Sequence, residues 1–359
     1  MELSRLTTMR VGGPAGEYVA AATRSELVDA ALDVWRRGDE WLVLGGGSNV
    51  IIADAGFDGT VIHVQTRGID RLEDSGGRVR FRVEAGESWD ALVAHAVAHG
   101  WAGIEALSGI PGTVGAAPTQ NIGAYGQDLE GSLVSVDFLD YFSGSVERLP
   151  ASELGLGYRT STLKRGRQGI VLAVELELAA STHGVVEFPQ LATALGVAVG
   201  ERVAISEVRA SVLALRASKG MILDDSDPDS VSCGSFFTNP IVSENFARRL
   251  PADAPRWPVE AEPLAVAVPL GEEPQRPAAS SDLVKLSAAW LIEHAGITKG
   301  FSLPGSRAAV STKHSLAITN RGGATAEQVA ELARYIRARV SSAFGVELAP
   351  EPVAVGVEL

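Results

Sequence analysis

The sequence predicts a fold of mixed helices and strands in two or three domains, and three observations support this prediction. The chain has 359 residues, more than a single hydrophobic core of ordinary size contains. Some segments repeat apolar residues at helical spacing, whereas others alternate them as strands do. The composition changes near residue 205, which marks a candidate domain boundary.

The composition excludes several classes of protein. Hydrophobic residues make up 46% of the chain and charged residues 21%, as is usual for a globular protein. The net charge of −13 argues against a nucleic-acid-binding protein, because phosphate binding requires a basic face. We expect neither a secretory signal nor a membrane span, since no apolar run approaches the ~18 residues that a span needs.

Cysteine and histidine usage argues against disulfide and metal chemistry. Cys233 is the only cysteine, which excludes an intrachain disulfide and a zinc site of several thiolates. We expect it to be a small core residue rather than a reactive thiol. The six histidines show no metal-ligand spacing, so no metal site is expected. We expect a cytoplasmic protein, and a monomer is the simplest expectation.

Periodicity predicts two helices and five strands before residue 204. Leu27, Ala31 and Val34 recur at helical spacing, and Ser88 is a favourable residue to begin a helix. Residues 78–84 alternate apolar and charged side chains, as a half-exposed strand does. The predicted helices cover residues 24–40 and 88–99, and the predicted strands cover residues 41–44, 50–52, 78–84, 133–142 and 169–178.

Three more helices and three more strands are predicted after residue 204. Thr325 and Gln328 form a capping-box pattern at the start of the last helix, which ends before Gly345. Residues 251–282 are rich in Pro, Ala and Glu, and we expect a variable surface excursion without an assigned role. The predicted helices cover residues 205–217, 283–294 and 325–344, and the predicted strands cover residues 308–310, 316–319 and 352–359.

The run at residues 108–126 is the most unusual stretch of the chain. It contains five glycines and two prolines but no charged residue. Glycine allows positive φ and close approach of the main chain, and proline fixes local turns, so neither a regular helix nor a regular strand is expected. Such a run is typical of a surface where a flat or anionic ligand lies against the backbone. A plain connecting loop is the alternative.

A second glycine-rich turn, Gly-Gly-Gly-Ser-Asn at residues 45–49, lies between two predicted strands. Successive N–H groups of such a turn can form a cradle for phosphate. The turn lacks the ending of a Walker motif, and a strand follows it rather than the helix of a Rossmann motif. Alone it is equally typical of a hairpin turn. Together with residues 108–126 it indicates a long ligand with a diphosphate and a flat ring.

Three residues have side chains suited to acid–base or anion chemistry. Arg159, in Gly-Tyr-Arg, has a planar guanidinium that matches a carboxylate. Ser235 stands between Gly234 and two aromatic residues, where a hydroxyl can donate a proton in an apolar setting. Glu351 lies between two prolines that restrict its backbone. A surface arginine, a turn before a core strand and a solvated turn acid are the alternatives at these three positions.

Two basic residues, Arg216 and Lys219, stand at the end of the helix predicted over residues 205–217. They can meet a second diphosphate, or they can complement the helix dipole. The sequence alone leaves both interpretations open.

Taken in order along the chain, these segments resemble the UDP-N-acetylenolpyruvoylglucosamine reductase family of flavoenzymes. Because several segments match in the family's order, the resemblance is far more specific than any single motif. The matching segments are residues 7–13, 44–50, 105–126, 157–159, 234–240, 285–300 and 350–352.

The resemblance implies a two-subdomain FAD-binding module of the vanillyl-alcohol-oxidase type, followed by an α+β substrate-binding domain. Subdomain 1 would cover residues 1–66, subdomain 2 residues 67–204 and the substrate-binding domain residues 205–345, with residues 346–359 returning to subdomain 1. Non-covalently bound FAD would take a hydride from NADPH and pass it to an enolpyruvyl UDP-sugar in peptidoglycan synthesis. The implied FAD-binding residues are Gly45, Gly46, Gly47, Ser48, Asn49, Ser108, Gly109, Ile110, Pro111, Gly112, Gly115, Ala116, Gln120, Asn121, Gly123, Ala124, Tyr125 and Gly126.

The resemblance also implies roles for the remaining candidates. Arg159 would pair with the substrate carboxylate, Ser235 would donate a proton to C2, and Glu351 would assist near C2. Further substrate contacts would come from Tyr158, Arg216, Lys219, Asn239 and His294.

One position departs from the family pattern. Related proteins often carry a tyrosine in a Tyr-x-x-Leu segment that closes over the substrate, and Phe188 stands at that position here. A phenyl ring packs as a phenol does but donates no hydrogen bond. We therefore expect weaker closure over the substrate and unchanged chemistry.

Two other functions remain open from the sequence. One is an oxidase of the same flavin fold, which often holds FAD covalently through a histidine near the N-terminal glycine turn. The first histidine here is His63, outside that turn, which argues against covalent attachment. The other is a non-catalytic nucleotide-sugar binder, and the joint presence of Arg159, Ser235 and Glu351 argues against it.

Overall fold

The first part of the chain folds into a small parallel sheet, in a computed structural model that describes residues 1–72, 76–259 and 282–359. Its elements are β1 (Ala15–Ala21), α1 (Arg24–Arg37), β2 (Trp41–Leu44), β3 (Val50–Ile52) and β4 (Phe57–Val64). The central strand β4 pairs in parallel with β1 and β2. The sequence did not predict β1 and β4, because Gly, Asp and His interrupt their apolar residues.

The predicted first helix is confirmed, and its ends have clear physical causes. The Thr23 side chain accepts a hydrogen bond from the Glu26 N–H, and Glu26 completes the capping box. Gly38 ends the helix in the left-handed conformation with a φ of 72°. The helix therefore stops at Arg37, three residues before the predicted boundary.

An antiparallel sheet of six strands forms the second part of the chain. The strand order is β11–β10–β12–β6–β5, with β7 on β12; the predicted strands β6, β10 and β12 are confirmed, as is α2. The elements are β5 (Ile69–Arg71), β6 (Arg78–Glu84), α2 (Trp89–Ala98), β7 (Trp101–Ala102), β8 (Gly123–Ala124), β9 (Gln127–Asp128), β10 (Leu133–Asp140), β11 (Val146–Pro150), β12 (Gly169–Ala180), β13 (His183–Val185), α3 (Pro189–Leu195) and β14 (Arg202–Ala204).

Helix α1 packs between the two sheets and joins them. Its apolar face carries Leu27, Ala31 and Val34, all of them buried. These side chains share one core with residues of β4 and of the large sheet, namely Ile62, Val64, Leu139, Ile170 and Leu172. Burial of side chains of this size contributes about 1.5–3 kcal/mol each, so this core holds the first two parts of the chain together.

The third part of the chain combines helices with a small antiparallel sheet in the strand order β15–β17–β16. Its first helix, α4, shares a core with Ala106, Val186 and Leu191, so it packs on residues that precede it. The elements are α4 (Ile205–Ser218), β15 (Ile241–Ser243), α5 (Glu244–Ala247), β16 (Arg256–Pro258), β17 (Leu283–Leu286), α6 (Ala288–His294), β18 (Ala308–Val310), β19 (Ile318–Asn320), α7 (Ala326–Phe344) and β20 (Val353–Val355).

The helix predicted over residues 283–294 was wrong in its first third. Residues Leu283–Leu286 form β17 between β15 and β16, with Val284 and Leu286 buried. The Ser287 side chain then accepts a hydrogen bond from the Trp290 N–H and begins α6. Sheet pairing with two neighbouring strands outweighs the helical spacing of these residues.

The uncharged run at residues 108–126 adopts more regular structure than expected. Val114–Gln120 form a 3₁₀ helix that contains Pro118, and Gly123–Ala124 pair with Gln127–Asp128. Three further 3₁₀ turns lie at Leu3–Arg5, Glu105–Leu107 and Ala151–Glu153.

The last strand of the chain pairs with a strand of the first part. Strand β20 pairs in parallel with β3, with Val353 opposite Val50, and is shorter than the predicted strand over residues 352–359. Most of the predicted surface excursion at residues 251–282 lies outside the described residues, because only residues 251–259 and 282 are described. None of the helices in the described ranges is long and apolar enough to cross a membrane.

Candidate active site

A cavity lies where the three parts of the chain meet. Residues 45–49 line one side, and residues 110–113 of the uncharged run line the other. Arg159, Ser235 and Glu351 line it as well, so the structure brings the three candidate catalytic residues together. A second cavity, lined by residues that include Gly45, Gly115 and Ala116, adjoins the first.

The two glycine-rich loops touch through their main chains. A Cβ atom on Gly46 would lie 2.7 Å from the Cα of Gly112, and one on Gly45 would lie 2.4 Å from the Thr113 Oγ1. Gly47 has a φ of +58°, and a Cβ there would lie 1.9 Å from the carbonyl oxygen of Leu6. Ser48 also donates its hydroxyl to the Pro111 carbonyl at 3.0 Å. These close contacts favour glycine at residues 45–47, where the chain lines the cavity without side chains.

Charged side chains hold the start of the uncharged run through hydrogen bonds to Gly109. The Gly109 N–H donates to Asp90 at 2.6 Å, and the Gly109 carbonyl accepts from the Arg216 Nε at 3.1 Å. Arg209 binds both oxygens of Asp90. The Ser108 hydroxyl donates to the Glu105 carbonyl. The polar groups of Ser108 and Gly109 therefore hold the loop itself in place.

Arg159 is held at the tip of a tight turn. Gly157 and Thr160 exchange backbone hydrogen bonds, and Arg159 has a φ of 55°, a conformation that costs non-glycine residues roughly 1–2 kcal/mol. Its Nη2 donates to the Gly123 carbonyl at 2.9 Å, and its Nε lies 3.3 Å from the Glu351 Oε1. The Asn121 side chain donates to the Gly157 carbonyl and so supports this turn.

Ser235 and Glu351 are brought together by backbone pairing. The Glu351 N–H donates to the Phe236 carbonyl at 2.9 Å, and the Thr238 N–H donates to the Ala349 carbonyl. Phe236 and Phe237 are fully buried in the core of the third part. The aromatic pair that follows Ser235 thus anchors its segment, while Ser235 itself lines the cavity.

Lys219 lies beside the segment that contains Phe188. Its Nζ donates to the Gln190 Oε1 at 3.0 Å and lies 5.6 Å from the centre of the Tyr125 ring. Phe188 packs edge-on against the same ring. Gly126 is in close contact with Glu187, so residues 125–126 form the base on which this segment rests.

Tyr158 and Asn239 form a second polar group near the cavity. Burial raises the pKa of the Tyr158 phenol, and Asn239 lies within hydrogen-bond reach of it. The Lys285 Nζ lies 4.9 Å from the centre of the Tyr158 ring. Asn239 also accepts a hydrogen bond from the Ala288 N–H at the start of α6.

The structure places His294 away from these groups. Its ring stacks on Trp290 with ring centres 3.8 Å apart, and its Nε2 lies 4.0 Å from Asp253. Its Nδ1 lies 2.9 Å from the Trp290 carbonyl. Among the residues described, its contacts are thus with α6 and Asp253 rather than with the cavity.

Four polar residues near the predicted site were not predicted from the sequence. Lys285 faces Tyr158, Lys164 lines the main cavity, and Lys299 lies near His314. Burial, together with the charges of Lys219, Lys299 and Arg216, lowers the pKa of His314 to about 4. Its imidazole is therefore neutral at neutral pH. The sequence signal for His314 was its position next to Lys313, between two short apolar strands.

Cys233 is a buried residue at the wall of the cavity. Burial raises the pKa of the Cys233 thiol to about 12, so it is protonated and unreactive at neutral pH. Within residues 1–72, 76–259 and 282–359, no group of three or more His, Cys, Asp or Glu side chains is arranged to hold a metal ion.

Comparison with known proteins identifies the family. An FAD binding domain model matches residues 15–149, and the UDP-N-acetylenolpyruvoylglucosamine reductase C-terminal domain model matches residues 227–355. The UDP-N-acetylenolpyruvoylglucosamine reductase of Leifsonia xyli subsp. xyli is 59% identical over 372 residues, which cover 99% of this chain and 98% of that protein. The chain belongs to this reductase family. The resemblance noted in the sequence is therefore confirmed.

More distant relatives belong to the same reductase family. The UDP-N-acetylenolpyruvoylglucosamine reductase of Salinispora arenicola is 46% identical over 359 residues, covering 99% of this chain and 95% of that one. The crystal structure of the Thermus caldophilus reductase superposes with a TM-score of 0.65 at 27% identity, covering 99% of this chain and 97% of that one. Membership of the family confirms the expected α+β fold, an FAD-binding module followed by a C-terminal domain, and the assignment as an FAD-dependent oxidoreductase.

We predict that Gly47→Ala destabilises the protein more than Gly38→Ala does. Both residues have positive φ, so both substitutions cost about 1–2 kcal/mol of unfolding free energy. A Cβ at residue 38 meets nothing within 4 Å, whereas one at residue 47 overlaps the Leu6 carbonyl and costs a further 1–3 kcal/mol, by a rough estimate for overpacking. Denaturant unfolding and the flavin content of the purified proteins measure the difference. Equal stability and equal FAD content in the two variants would contradict the role given to this contact.

Proposed function

We propose that this cavity reduces the enolpyruvyl group of UDP-N-acetylenolpyruvoylglucosamine to give UDP-N-acetylmuramate for peptidoglycan, using NADPH and FAD. Family membership supplies the reaction and the cofactor. One observation supports the residue roles: Arg159, Ser235 and Glu351 converge on a single cavity beside the two glycine-rich loops.

The two glycine-rich loops fit FAD because Gly45, Gly46, Gly47 and Gly112 line the cavity, so main-chain groups rather than side chains face a ligand at these positions. Residues 45–49 and 110–112 would hold its diphosphate through backbone N–H groups. The adjoining second cavity extends the space, as a long dinucleotide requires. FAD supplies a carrier that takes the hydride from NADPH and gives it to the substrate. The His63 Nδ1 forms a hydrogen bond with the Tyr18 hydroxyl at 2.8 Å, and we infer that FAD is attached non-covalently.

Arg159 would stabilise the charge that develops on the substrate. Hydride addition at C3 leaves negative charge on C2 and on the adjoining carboxylate. The guanidinium of Arg159 has five N–H donors, of which Nη2 and Nε are engaged by Gly123 and Glu351. The remaining N–H groups are available to a carboxylate in the cavity, and they are already oriented before the charge develops.

Ser235 would donate the proton that completes the reduction at C2. Its segment is anchored by buried aromatic side chains, so the hydroxyl is held at the cavity wall. Glu351 is paired with the same segment through its backbone and lies 3.3 Å from Arg159. We propose that it orients the intermediate or relays the proton.

A cluster of basic residues would bind the substrate diphosphate. Lys219 and Asn239 are the proposed direct contacts, with Tyr158 beside Asn239. His314 lies near both Lys219 and Lys299, and these groups would add positive charge or hydrogen-bond donors. Arg216 is buried against Gly109, so its proposed role shifts from direct substrate contact to support of the loop.

We further infer that the enzyme acts as a monomer in the cytoplasm on small-molecule substrates. A single cysteine, buried and protonated, suits a reducing compartment. The net charge of −13 supports the absence of a nucleic-acid partner.

The visible spectrum under anaerobic conditions tests this function. We expect flavin absorption in the purified protein, bleaching on addition of NADPH, and recovery on addition of the enolpyruvyl UDP-sugar. Recovery with oxygen alone would indicate an oxidase of the same fold. A colourless protein that takes up no FAD would remove the proposed chemistry.

Ser235→Ala separates the two half-reactions. We expect flavin reduction by NADPH at the wild-type rate and a loss of substrate-driven reoxidation of about 100-fold or more, as removal of a general acid gives. Glu351→Gln is expected to act in the same direction. Ser342→Ala, at an exposed site on α7, is the matched control. A similar fall of both half-reactions in Ser235→Ala would make Ser235 structural.

Phe188→Tyr is expected to tighten substrate binding. Phe188 packs on the Tyr125 ring that Lys219 also approaches, so a phenol hydroxyl at residue 188 can donate to the diphosphate, a hydrogen bond with a net value of about 1 kcal/mol. We expect KM for the UDP-sugar to fall about fivefold, with kcat unchanged. Phe142→Tyr, at an 82% exposed site, is the control. An unchanged KM in Phe188→Tyr would contradict weaker closure in this chain.

A further inference from the structure

The side chain of Gln120 connects the first glycine-rich loop to Glu351. The Asn49 Nδ2 donates to the Gln120 Oε1 at 3.0 Å, and the Gln120 Nε2 donates to the Glu351 Oε1 at 3.2 Å. The Asn49 Nδ2 also donates to the main-chain carbonyl of Glu351 at 3.2 Å. Both ends of the Gln120 amide are therefore engaged by protein groups, although the family resemblance implied a cofactor contact.

The orientation of both amides follows from one backbone group. A main-chain carbonyl only accepts hydrogen bonds, so Asn49 must present its NH₂ group to Glu351. The same NH₂ group meets Gln120, which must therefore turn its oxygen to Asn49 and its own NH₂ group to the Glu351 carboxylate. The network has one consistent arrangement of donors and acceptors, with Glu351 as the final acceptor.

This arrangement gives the two oxygens of Glu351 different surroundings. Oε1 meets two donors, the Gln120 Nε2 and the Arg159 Nε. Since both donors converge on Oε1, Oε2 is the oxygen that remains for a bound substrate or for Ser235. The Glu351 residue is only 9% exposed, so its side chain has few other ways to be oriented.

We propose that Gln120 is a positioning residue, which holds Glu351 by Oε1 so that Oε2 serves the reacting carbon. This inference rests on the role proposed above for Glu351. Asn49 acts through the same chain of hydrogen bonds. Because Asn49 and Gln120 belong to the two loops that frame the cofactor cavity, the position of Glu351 depends on the correct packing of both loops.

Two variants test the positioning role. Gln120→Leu removes the donor, and we expect substrate-driven flavin reoxidation to slow about tenfold, with NADPH-driven reduction and the FAD dissociation constant unchanged.

Gln120→Glu keeps the size of the side chain and places a second carboxylate against Glu351, so one of the two carboxylates is protonated more readily. We expect the acid limb of the reoxidation rate to move to higher pH by about one unit. The charged or titratable groups that face Glu351 are Arg159, Lys164, Tyr158 and Cys233.

Two controls separate positioning from other roles. Gln168→Glu makes the same chemical change at an exposed site and is expected to leave the pH profile unchanged. The double variant Gln120→Leu with Glu351→Gln is expected to be no slower than Glu351→Gln alone, because Gln120 acts through Glu351.

The results for these variants distinguish a positioning role of Gln120 from a cofactor contact. Weaker FAD binding with equal slowing of both half-reactions in Gln120→Leu would make Gln120 a cofactor contact and overturn the proposal. An unmoved pH profile in Gln120→Glu would overturn it as well. If Glu351→Gln itself reoxidises at the wild-type rate, the role of Glu351 fails instead. If Glu351→Gln reoxidises slowly but the Gln120 variants behave as the wild type, the proposed function stands and only the positioning role of Gln120 is overturned.

Discussion

Strand β20 pairs in parallel with β3, and the geometry of the cavity depends on this pairing. The Val353 N–H donates to the Asn49 carbonyl at 2.9 Å, directly after the first glycine-rich turn. The pairing carries Glu351 to Asn49, although the two residues are 302 positions apart in the chain. The backbone bond from Glu351 to Phe236 then places Ser235 beside them. Two short stretches of backbone pairing therefore assemble side chains from three separate segments of the chain.

Close contact between main chains gives the cavity its shape. Residues 45–47 approach Leu6, Gly112 and Thr113 at distances that no Cβ atom allows. Arg159 adopts a positive φ without being glycine, and its neighbours hold it there through Asn121 and Gly123. Strain of this kind persists only where surrounding bonds determine the conformation, and here it sets the direction of the guanidinium.

The charge of the cavity opposes the charge of the whole protein. The protein has a net charge of −13, yet Arg159, Lys164 and Arg216 line the main cavity and Lys219 lies near it. Glu351 is the carboxylate that faces them. A locally positive cavity on an acidic protein concentrates anionic ligands there and disfavours their binding elsewhere. This arrangement suits diphosphates and a carboxylate substrate, and the burial that keeps His314 neutral limits the excess of positive charge.

Local signals in the sequence determined the apolar face of α1, the caps of α7, the alternation of β6 and the two glycine-rich segments, because these depend on residues close together in the chain. Motifs in a fixed order determined the family. Strands β1 and β4 and the start of β17 required the tertiary structure, since pairing with neighbouring strands outweighs their weak or misleading local patterns. The same holds for the hydrogen bonds from Asn49 through Gln120 to Glu351, and for the turn of Arg216 towards Gly109. Contacts between residues distant in sequence leave no periodic signal, so only the folded chain decides them.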